Sequence, residues 1–565
     1  MNRQAAQLLA QHFDTAFAVP DGIKKLRELI LTLAMQGKLV PQDLTDQPAS
    51  QLLKEIEGEK KRLVTEGKIK APKPQPEVKP EDAPYALPKG WEWVRIRDIC
   101  HDWGQKIPDS RFTYIDVGSI NNKIGAIGQD VQVLEVHEAP SRARKLVQQG
   151  TVIYSTVRPY LLNIAIIEGN YEPTPIASTA FAILHPFVGI NNRFIYSFLR
   201  SAISMKYVES VMKGVAYPAI NDGDFFQGIF PLPPLTEQNR IVAKIDQLMA
   251  RCDELEKLRR EREQKRLNIH TAALNRLLEA RANEDFDNAW QFITIHFGDL
   301  YAVKENVSEL RKAILQLAVM GKLVPQDPSD PPASQLLKEI EAEKTRLIEE
   351  GKIRASKLLL EIKPEDVPYA LPQSWKWVRL QDVLDVRDGT HDSPKDADGD
   401  DTYPLITSKN FFNGRIDFSD ARRISAEDHS EIIKRSRVEK FDILFSMIGG
   451  NIGNQVLVED DAEFSIKNVA LFKYYNKNLT QPYFIKKVVE HLAIDLQLKA
   501  AGGAQPFVSL GFLRNLIVAL PPKYEQQRIV VKIDQIMALC DTLEQQIDAA
   551  AGSQIALLDS LIAQV

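Results

Sequence analysis

A chain of 565 residues carries 71 Lys and Arg against 76 Asp and Glu, a formal net charge of −5, with 44% hydrophobic and 26% charged residues. That is material for three to four domains with real cores. The mild acidity excludes indiscriminate polycationic coating of DNA, though not a local basic groove. No apolar run approaches the ~18 residues of a membrane span, and no signal peptide opens the chain. The three cysteines, Cys100, Cys252 and Cys540, sit in no CxxC and near no histidine cluster, so neither a zinc site nor a disulfide framework is expected. A cytoplasmic protein with no membrane partner fits these features.

The leader comes first, and it comes twice. Residues 26–70 read LRELILTLAMQGKLVPQDLTDQPASQLLKEIEGEKKRLVTEGKIK, and residues 310–354 read LRKAILQLAVMGKLVPQDPSDPPASQLLKEIEAEKTRLIEEGKIR. The offset of 284 (310 − 26) holds forward to Trp91 and Trp93 against Trp375 and Trp377, and back to His12 and Phe13 against His296 and Phe297. Leu26, Leu29, Ile30, Leu33 and Ala34 make the apolar face of a first helix, which Gly37 ends in a left-handed cap. Ser50, matched by Ser334, is placed to cap a second helix from about Gln51 to Glu66, ended by Gly67. A stiff linker follows, with Pro72, Pro74, Pro76, Pro80, Pro84 and Pro88. The second copy keeps Pro364, Pro368 and Pro372 but has leucines at Leu358 to Leu360.

Two middle bodies follow their leaders, at about 90–232 and 374–520, and their letters barely match. Their patterns do. TVIYSTVRPYLLNIAII and IASTAFAILHP in the first, and FDILFSMIGGNIGNQVLV and SIKNVALFKYY in the second, are strand-like runs at similar depths. Each body then has a helix, about Asn192 to Met212 and Gln481 to Leu498, and a closing strand, Gly228 to Leu232 and Arg514 to Leu520.

A long helix ends each half. From Pro233 and Pro234 to about Leu278, apolar residues fall at Ile241, Ile245, Leu248, Cys252 and Leu255, the alternating steps of a coiled-coil seam. After Pro521 and Pro522 the seam recurs at Ile529, Ile533, Ile536, Cys540 and Leu543, at an offset of 288 (529 − 241). Such a helix could reach roughly 65–70 Å. It reads as a strut, and two matching struts can pair with each other. The division expected is a helical region 1–89, a body 90–232, a central region 233–373 of strut plus repeated leader, a body 374–520 and a final strut 521–565. Near-constant struts with unlike bodies suit two readers held apart over a split target, since about ten base pairs of B-DNA advance roughly 34 Å.

The leader block GKLVPQD, the entries YALPKGWEWVRI and YALPQSWKWVRL, and the struts PLPPLTEQNRIVAKIDQLM and LPPKYEQQRIVVKIDQIM recur in order over essentially the full length. In these the chain resembles the specificity subunits of type I restriction–modification enzymes. The resemblance implies a mixed α/β fold with two target-recognition domains, long antiparallel coiled-coil helices between them, and a pseudo-twofold internal repeat. Each domain would read one half of a split, asymmetric site in double-stranded DNA. The helices would dock two methyltransferase subunits, and two motor–nuclease subunits would join that core. It carries over no base-contacting residue.

The DNA-contact candidates therefore come from the residues. In the first body they are Arg142, Arg144 and Lys145 in SRARK, then Arg158, Tyr160 and Asn163 after TV, basic and hydrogen-bonding side chains suited to phosphates and groove edges. In the second they are His391 beside Thr390, Ser408, Lys409 and Asn410 in ITSKN, Lys434, Arg435 and Arg437 in the densest basic run, and Asn451 with Asn454 after the paired glycines. The acidic stretch Asp396 to Asp401 should face away from phosphate unless a cation bridges it. Several chemistries find no support. There is no Asn-Pro-Pro-Tyr or Asp-Pro-Pro-Tyr for amino-methylation, no phosphate loop, no dinucleotide fingerprint at Gly449, Gly450 and Gly453, and no metal-ligand spacing. Pro108-Asp109 with Glu135 lacks the lysine of a nuclease core, His137 standing there instead. The expectation is no cofactor on this chain, with S-adenosylmethionine on the methyltransferase partners and ATP and magnesium on the motor partners. The rival reading is a non-catalytic protein–protein scaffold with two binding bodies.

Overall fold

The computed structural model describes residues 21–71, 78–122, 124–129, 131–355, 361–500 and 507–563, with 11, 13, 17, 19 and 359. His12, Pro72, Pro74, Pro76, Leu358 and Leu360 lie outside them. The chain divides into two compact units, residues 1–262 with 550–565, and residues 263–549.

In the first unit the leader is helix α1 (Gly22–Met35) and helix α2 (Ala49–Thr65). Gly37, at φ +66°, ends α1 as expected: Gly37 N–H donates to Ala34 and Lys38 N–H to the Leu33 carbonyl. A Cβ on Gly37 would meet Pro88 Cγ at 2.4 Å, so the linker's last proline requires glycine there twice over. Ser50 does not cap α2. The helix starts one residue earlier, at Ala49, because the Ala49 N–H is taken by the Gly90 carbonyl at 2.9 Å and Pro48 provides the extended entry. The copy behaves alike, with Ala333 donating to Ser374 and Ser334 inside the helix.

The first body opens with β1 (Glu92–Arg95), α3 (Ile96–Ile99), β2 (Cys100–His101) and β3 (Phe112–Ile115). Short strands β4 (Ile120–Asn121), β5 (Ala126–Ile127) and β6 (Gln132–Leu134) follow, then β7 (Ala143–Leu146), β8 (Val152–Ser155), β9 (Ile164–Ile166), β10 (Pro175–Ser178) and β11 (Phe181–Pro186). They form two four-stranded sheets, ordered β6-β3-β10-β7 and β2-β11-β8-β9. The helix expected from Asn192 to Met212 is two, α4 (Asn192–Leu199) and α5 (Ala202–Val211). Ser201 breaks it by turning its Oγ to the Ser204 N–H as an N-cap. Then come α6 (Asp222–Phe226) and β12 (Ile229–Leu232), which returns antiparallel to β1, Glu92 opposite Leu232.

The strut α7 (Leu235–Glu279) is one 45-residue helix. Its seam does not begin against the other strut. Ile241, Val242, Ile245 and Cys252 are buried in one core with Leu31, Ala34 and Met35 of α1 and Phe194 and Phe230 of the body, while Leu255 is exposed. Arg27 of α1 pairs with Asp253 and, at 3.2 Å, with Glu256. Below that, Glu237 accepts from Trp91 Nε1 (2.9 Å) and Gln42 Nε2 (2.6 Å), and Gln238 spans the Asn191 N–H and the Pro233 carbonyl. Burial pushes the Glu237 carboxyl above its ordinary pKa, against those donors.

The second unit takes up residues 263–279 of α7, then α8 (Asn283–Ile295), α9 (Phe297–Leu300), α10 (Lys304–Val319) and α11 (Ala333–Glu349). Its body runs β13 (Lys376–Arg379), α12 (Leu380–Val383), β14 (Leu384–Asp388), β15 (Thr402–Ile406), β16 (Phe411–Phe412), β17 (Arg415–Ile416) and β18 (Arg422–Ser425). After helix α13 (Ala426–Ser436) come β19 (Ile443–Ser446), β20 (Gln455–Leu457), β21 (Ser465–Ile466), β22 (Val469–Tyr474), α14 (Pro482–Ala500), α15 (Leu510–Asn515) and β23 (Ile517–Leu520). Arg514 thus ends a helix rather than opening the last strand. The sheets are β18-β15-β21 and β14-β22-β19-β20, with β23 antiparallel to β13. The orders match the first body strand for strand, including the parallel pair β3 with β10 against β15 with β21. Among the described residues only β7 has no counterpart.

The last strut, α16 (Lys523–Ala563), repeats the arrangement. Ile529 and Ile533 are buried with Leu315, Ala318 and Val319, and Glu525 accepts from Gln326 Nε2 at 2.7 Å. Further along, Cys540, Ile536, Met537, Leu543 and Ile547 share a core with Ala273, Leu274 and Leu277 of α7 and Ile314 and Leu317 of α10. Its end, Leu558 with Ile555 and Ile562, packs in the first unit on Phe17, Val19 and Leu29. Each strut therefore starts on its own leader and finishes on the other's. Among the described residues no helix is long and apolar enough to cross a membrane.

Candidate nucleic-acid interface

Each body gathers several of its candidate residues at one end of its two sheets. In the first, the eight-residue connection 156–163 between β8 and β9 carries a 3₁₀ turn, Pro159–Leu161. Beside it lies the β10–β11 turn, where Thr156 N–H donates to the Ala180 carbonyl and Thr179 N–H to that of Arg142, each at 2.8 Å. The 213–222 loop closes the edge. Val157 bridges Ala219, Arg158 N–H donates to the Pro218 carbonyl at 2.8 Å, and the Arg158 guanidinium lies over the Tyr217 ring at 4.8 Å. Arg142, Arg158, Tyr160 and Tyr217 are thereby brought together. Arg144 follows on β7, its Nε donating to the Ser141 carbonyl at 3.0 Å.

Two candidates of the first body face inward instead. Lys145 is 7% exposed, and its Nζ donates to the Phe181 carbonyl (2.6 Å) and Asp222 (2.5 Å). It holds β7 and the start of α6 together, because alternation along β7 turns every second side chain to the core. Asn163 is buried at the mouth of β9, its carbonyl accepting from Ser155.

The second body builds the same edge from other letters. The connection 447–454 is again eight residues with a 3₁₀ turn, Gly449–Asn451, and Ile448 bridges Phe507 just as Val157 bridges Ala219. Asn451 and Asn454 are exposed on it. The adjoining β21–β22 turn brings up Lys467 and Asn468. His391 places Nδ1 3.2 Å from Asn468 Oδ1 and Nε2 2.9 Å from Asp388, and Arg435 pairs with the other oxygen of that buried carboxylate. His391 and Arg435, 44 residues apart (435 − 391), therefore meet through Asp388. Ser408 and Lys409 occupy the turn after β15, with Lys409 exposed.

Here too some candidates are engaged internally. Asn410 is buried, its Oδ1 accepting from the Thr407 N–H at 3.0 Å to close a capping box. Lys434 and Arg437 are exposed but matched by Glu431 (2.5 Å) and Glu463 (3.9 Å). His429, on the same helix, stacks on Tyr403 at 3.9 Å; burial lowers its pKa, so it adds no charge to this run near neutrality. In the acidic stretch, Asp396 is bound by Arg422.

Reading the letters alone missed Tyr217, Lys467, Asp388 and Phe507. One signal was available. GVAYPAIN (214–221) and GGAQPFVS (502–509) share Gly, Ala and Pro at the struts' own offset of 288, and each ends on an N-cap, Asn221 and Ser509.

The family model of the type I restriction modification DNA specificity domain matches this chain twice, at residues 88–264 and 372–551. The chain belongs to that specificity family. Its relatives include two from Escherichia coli, the EcoAI specificity subunit, 32% identical over 552 residues covering 96% of this chain and 93% of the relative, and the EcoEI specificity subunit, 30% identical with the same coverage. Among solved structures, the HsdS subunit from Thermoanaerobacter tengcongensis is 23% identical over 85% of this specificity-family chain and 98% of its own, with a TM-score of 0.44. Both family matches enclose the whole sheet end of their body and the first part of its strut.

Proposed function

We propose that this chain is the sequence-reading subunit of a type I restriction–modification complex. The bodies 90–232 and 374–520 act as target-recognition domains, each taking one half of a bipartite, asymmetric site in duplex DNA. The regions 1–89, 233–373 and 521–565 form the helical frame that sets the gap. Two methyltransferase subunits carrying S-adenosylmethionine methylate adenine at the chosen site. Two motor–nuclease subunits, using ATP and magnesium, restrict unmodified DNA, and the assembly works in the cytoplasm. No chemistry is assigned to this chain itself.

The observation that carries the reading is the edge built twice. One backbone framework, with equal loop lengths and equal bridges, presents Arg158, Tyr160 and Tyr217 in one body and Asn451, Lys467 and Phe507 in the other. A common frame with unlike side chains, exposed or half-exposed, is what two different half-sites require. The test is selection of duplexes from a randomised library by the full chain with its methyltransferase partners. Two short blocks at fixed spacing support the proposal, and binding without sequence preference favours the scaffold reading. Inserting one heptad after Arg260 should lengthen the unread gap and keep both blocks.

A further inference from the structure

The matching connections 156–163 and 447–454 differ in one physical respect. In both, the third and seventh residues have left-handed backbone. In the second body these are Gly449 (φ +68°) and Gly453 (φ +87°), the residue type for which that conformation carries no steric cost. In the first body they are Arg158 (φ +47°, ψ +58°) and Leu162 (φ +53°, ψ +40°). An L side chain at such a position is strained, and it persists where the surroundings or the function require that side chain. For Leu162 packing is the reason, since it is half-buried against the main core of the unit. Arg158 has no such account. Its side chain is half-buried, and among the described residues no carboxylate pairs with it. Its guanidinium lies over the face of Tyr217, itself 71% exposed.

That contact leaves the donors free. Stacking occupies the flat face of a guanidinium, while its N–H groups point outward in the plane. A planar pair of donors matches O6 and N7 on the major-groove edge of guanine, the commonest base contact an arginine makes. A phosphate can take the same fork, but a phosphate contact carries no sequence information, so loss of it would weaken binding to every duplex alike. We propose that Arg158 is a specificity-determining residue of the first body. Tyr217 holds its guanidinium flat, and it reads one guanine of that body's half-site by paired donation. This rests on the DNA-reading function proposed above. Tyr217 acts through Arg158 and is a positioning residue.

The experiment compares wild type, Arg158→Gly, Arg158→Lys and Tyr217→Ala, each as the full chain with its methyltransferase partners, on a duplex library randomised at both half-sites. Arg158→Gly should fold with unchanged or higher stability in denaturant, because glycine relieves the left-handed strain. It should lose discrimination for one G·C pair of one half-site by about tenfold or more. Arg158→Lys should keep overall affinity yet lose the same discrimination, and Tyr217→Ala should weaken it at that base pair only. The inference is overturned if Arg158→Gly keeps the wild-type preference, if it weakens binding uniformly with preference unchanged, or if the altered base pair lies in the half-site read by the second body. If wild type itself selects no bipartite sequence, the DNA-reading function has failed rather than the role of Arg158.

Discussion

The two bodies reach the same place by unlike routes. After β6 the first makes a three-residue turn, Val136–Glu138, and adds strand β7 to its sheet; after β18 the second runs the 11-residue helix α13. Both routes deliver a basic cluster before the next shared strand, Arg142, Arg144 and Lys145 in one and Lys434, Arg435 and Arg437 in the other. The clusters are wired differently. In the first, Lys145 is sunk into the body and Arg142 has no ion-pair partner among the described residues. In the second, every cation is matched by a carboxylate of its own body. Apart from β7 the strands are therefore the constant, and the connections hold the variation.

Exchanging the first body is the severest challenge to that contrast. Replacing residues 100–225 with the equivalent segment of another family member should rewrite one half-site completely and leave the other intact, as read by duplex selection. Two altered half-sites would mean the bodies do not read independently. Next comes Lys145→Met, which removes the tie from β7 to the Phe181 carbonyl and to the half-exposed Asp222 carboxylate. It should cost about 2 kcal/mol in chemical unfolding, in the range for a lost hydrogen bond to a charged group, while leaving base preference unchanged. A shift in preference would return Lys145 to the reading edge.

The loops give a finer comparison. Gly453→Ala combines a left-handed residue with a Cβ 3.0 Å from that of Ala493, and should destabilise by about 2 kcal/mol. Gly449→Ala has open space around its Cβ and should cost about 1 kcal/mol by backbone strain alone. Equal losses would show that crowding by Ala493 is not felt.

The smallest effect concerns the frame, where the halves are alike. Arg240 binds Asp46 at 2.5 Å, as Arg528 binds Asp330. The hydrogen bond from Arg240 holds the Asp46 carboxyl below its ordinary 3.8. A depressed folded-state pKa stabilises above the unfolded value and loses that contribution as pH falls through the folded one. Asp46→Asn should lower stability at neutral pH and make the first unit's unfolding less acid-dependent below about pH 4. An unchanged acid limb in thermal unfolding would remove the pair from the account.

The doubling, the struts and the strand-rich bodies were legible because repetition at a fixed offset and alternating apolar runs leave their mark in letters. Packing partners do not. Nothing local to SRARK shows that Lys145 meets Asp222, 77 residues later, or that Asn410 closes a turn on Thr407 rather than pointing outward. The seam at Ile241 to Cys252 was legible as a seam, but its partner was not, since α1 and the opposite strut offer the same kind of apolar stripe. The deepest likeness was also the least visible. TVRPYLLN and MIGGNIGN share one backbone course while agreeing only at the final asparagine, because backbone dihedral angles can coincide where side chains do not.

The pairing of β1 with β12, and of β13 with β23, has one more consequence. Each body leaves the helical frame and rejoins it on neighbouring strands, so everything between is a closed excursion with adjacent ends. A gene segment encoding such an excursion can be traded by recombination without altering the distance between the helices on either side. The near-identical leader sequences would give that crossover its homology, so a new target could be acquired in one genetic event with the frame intact.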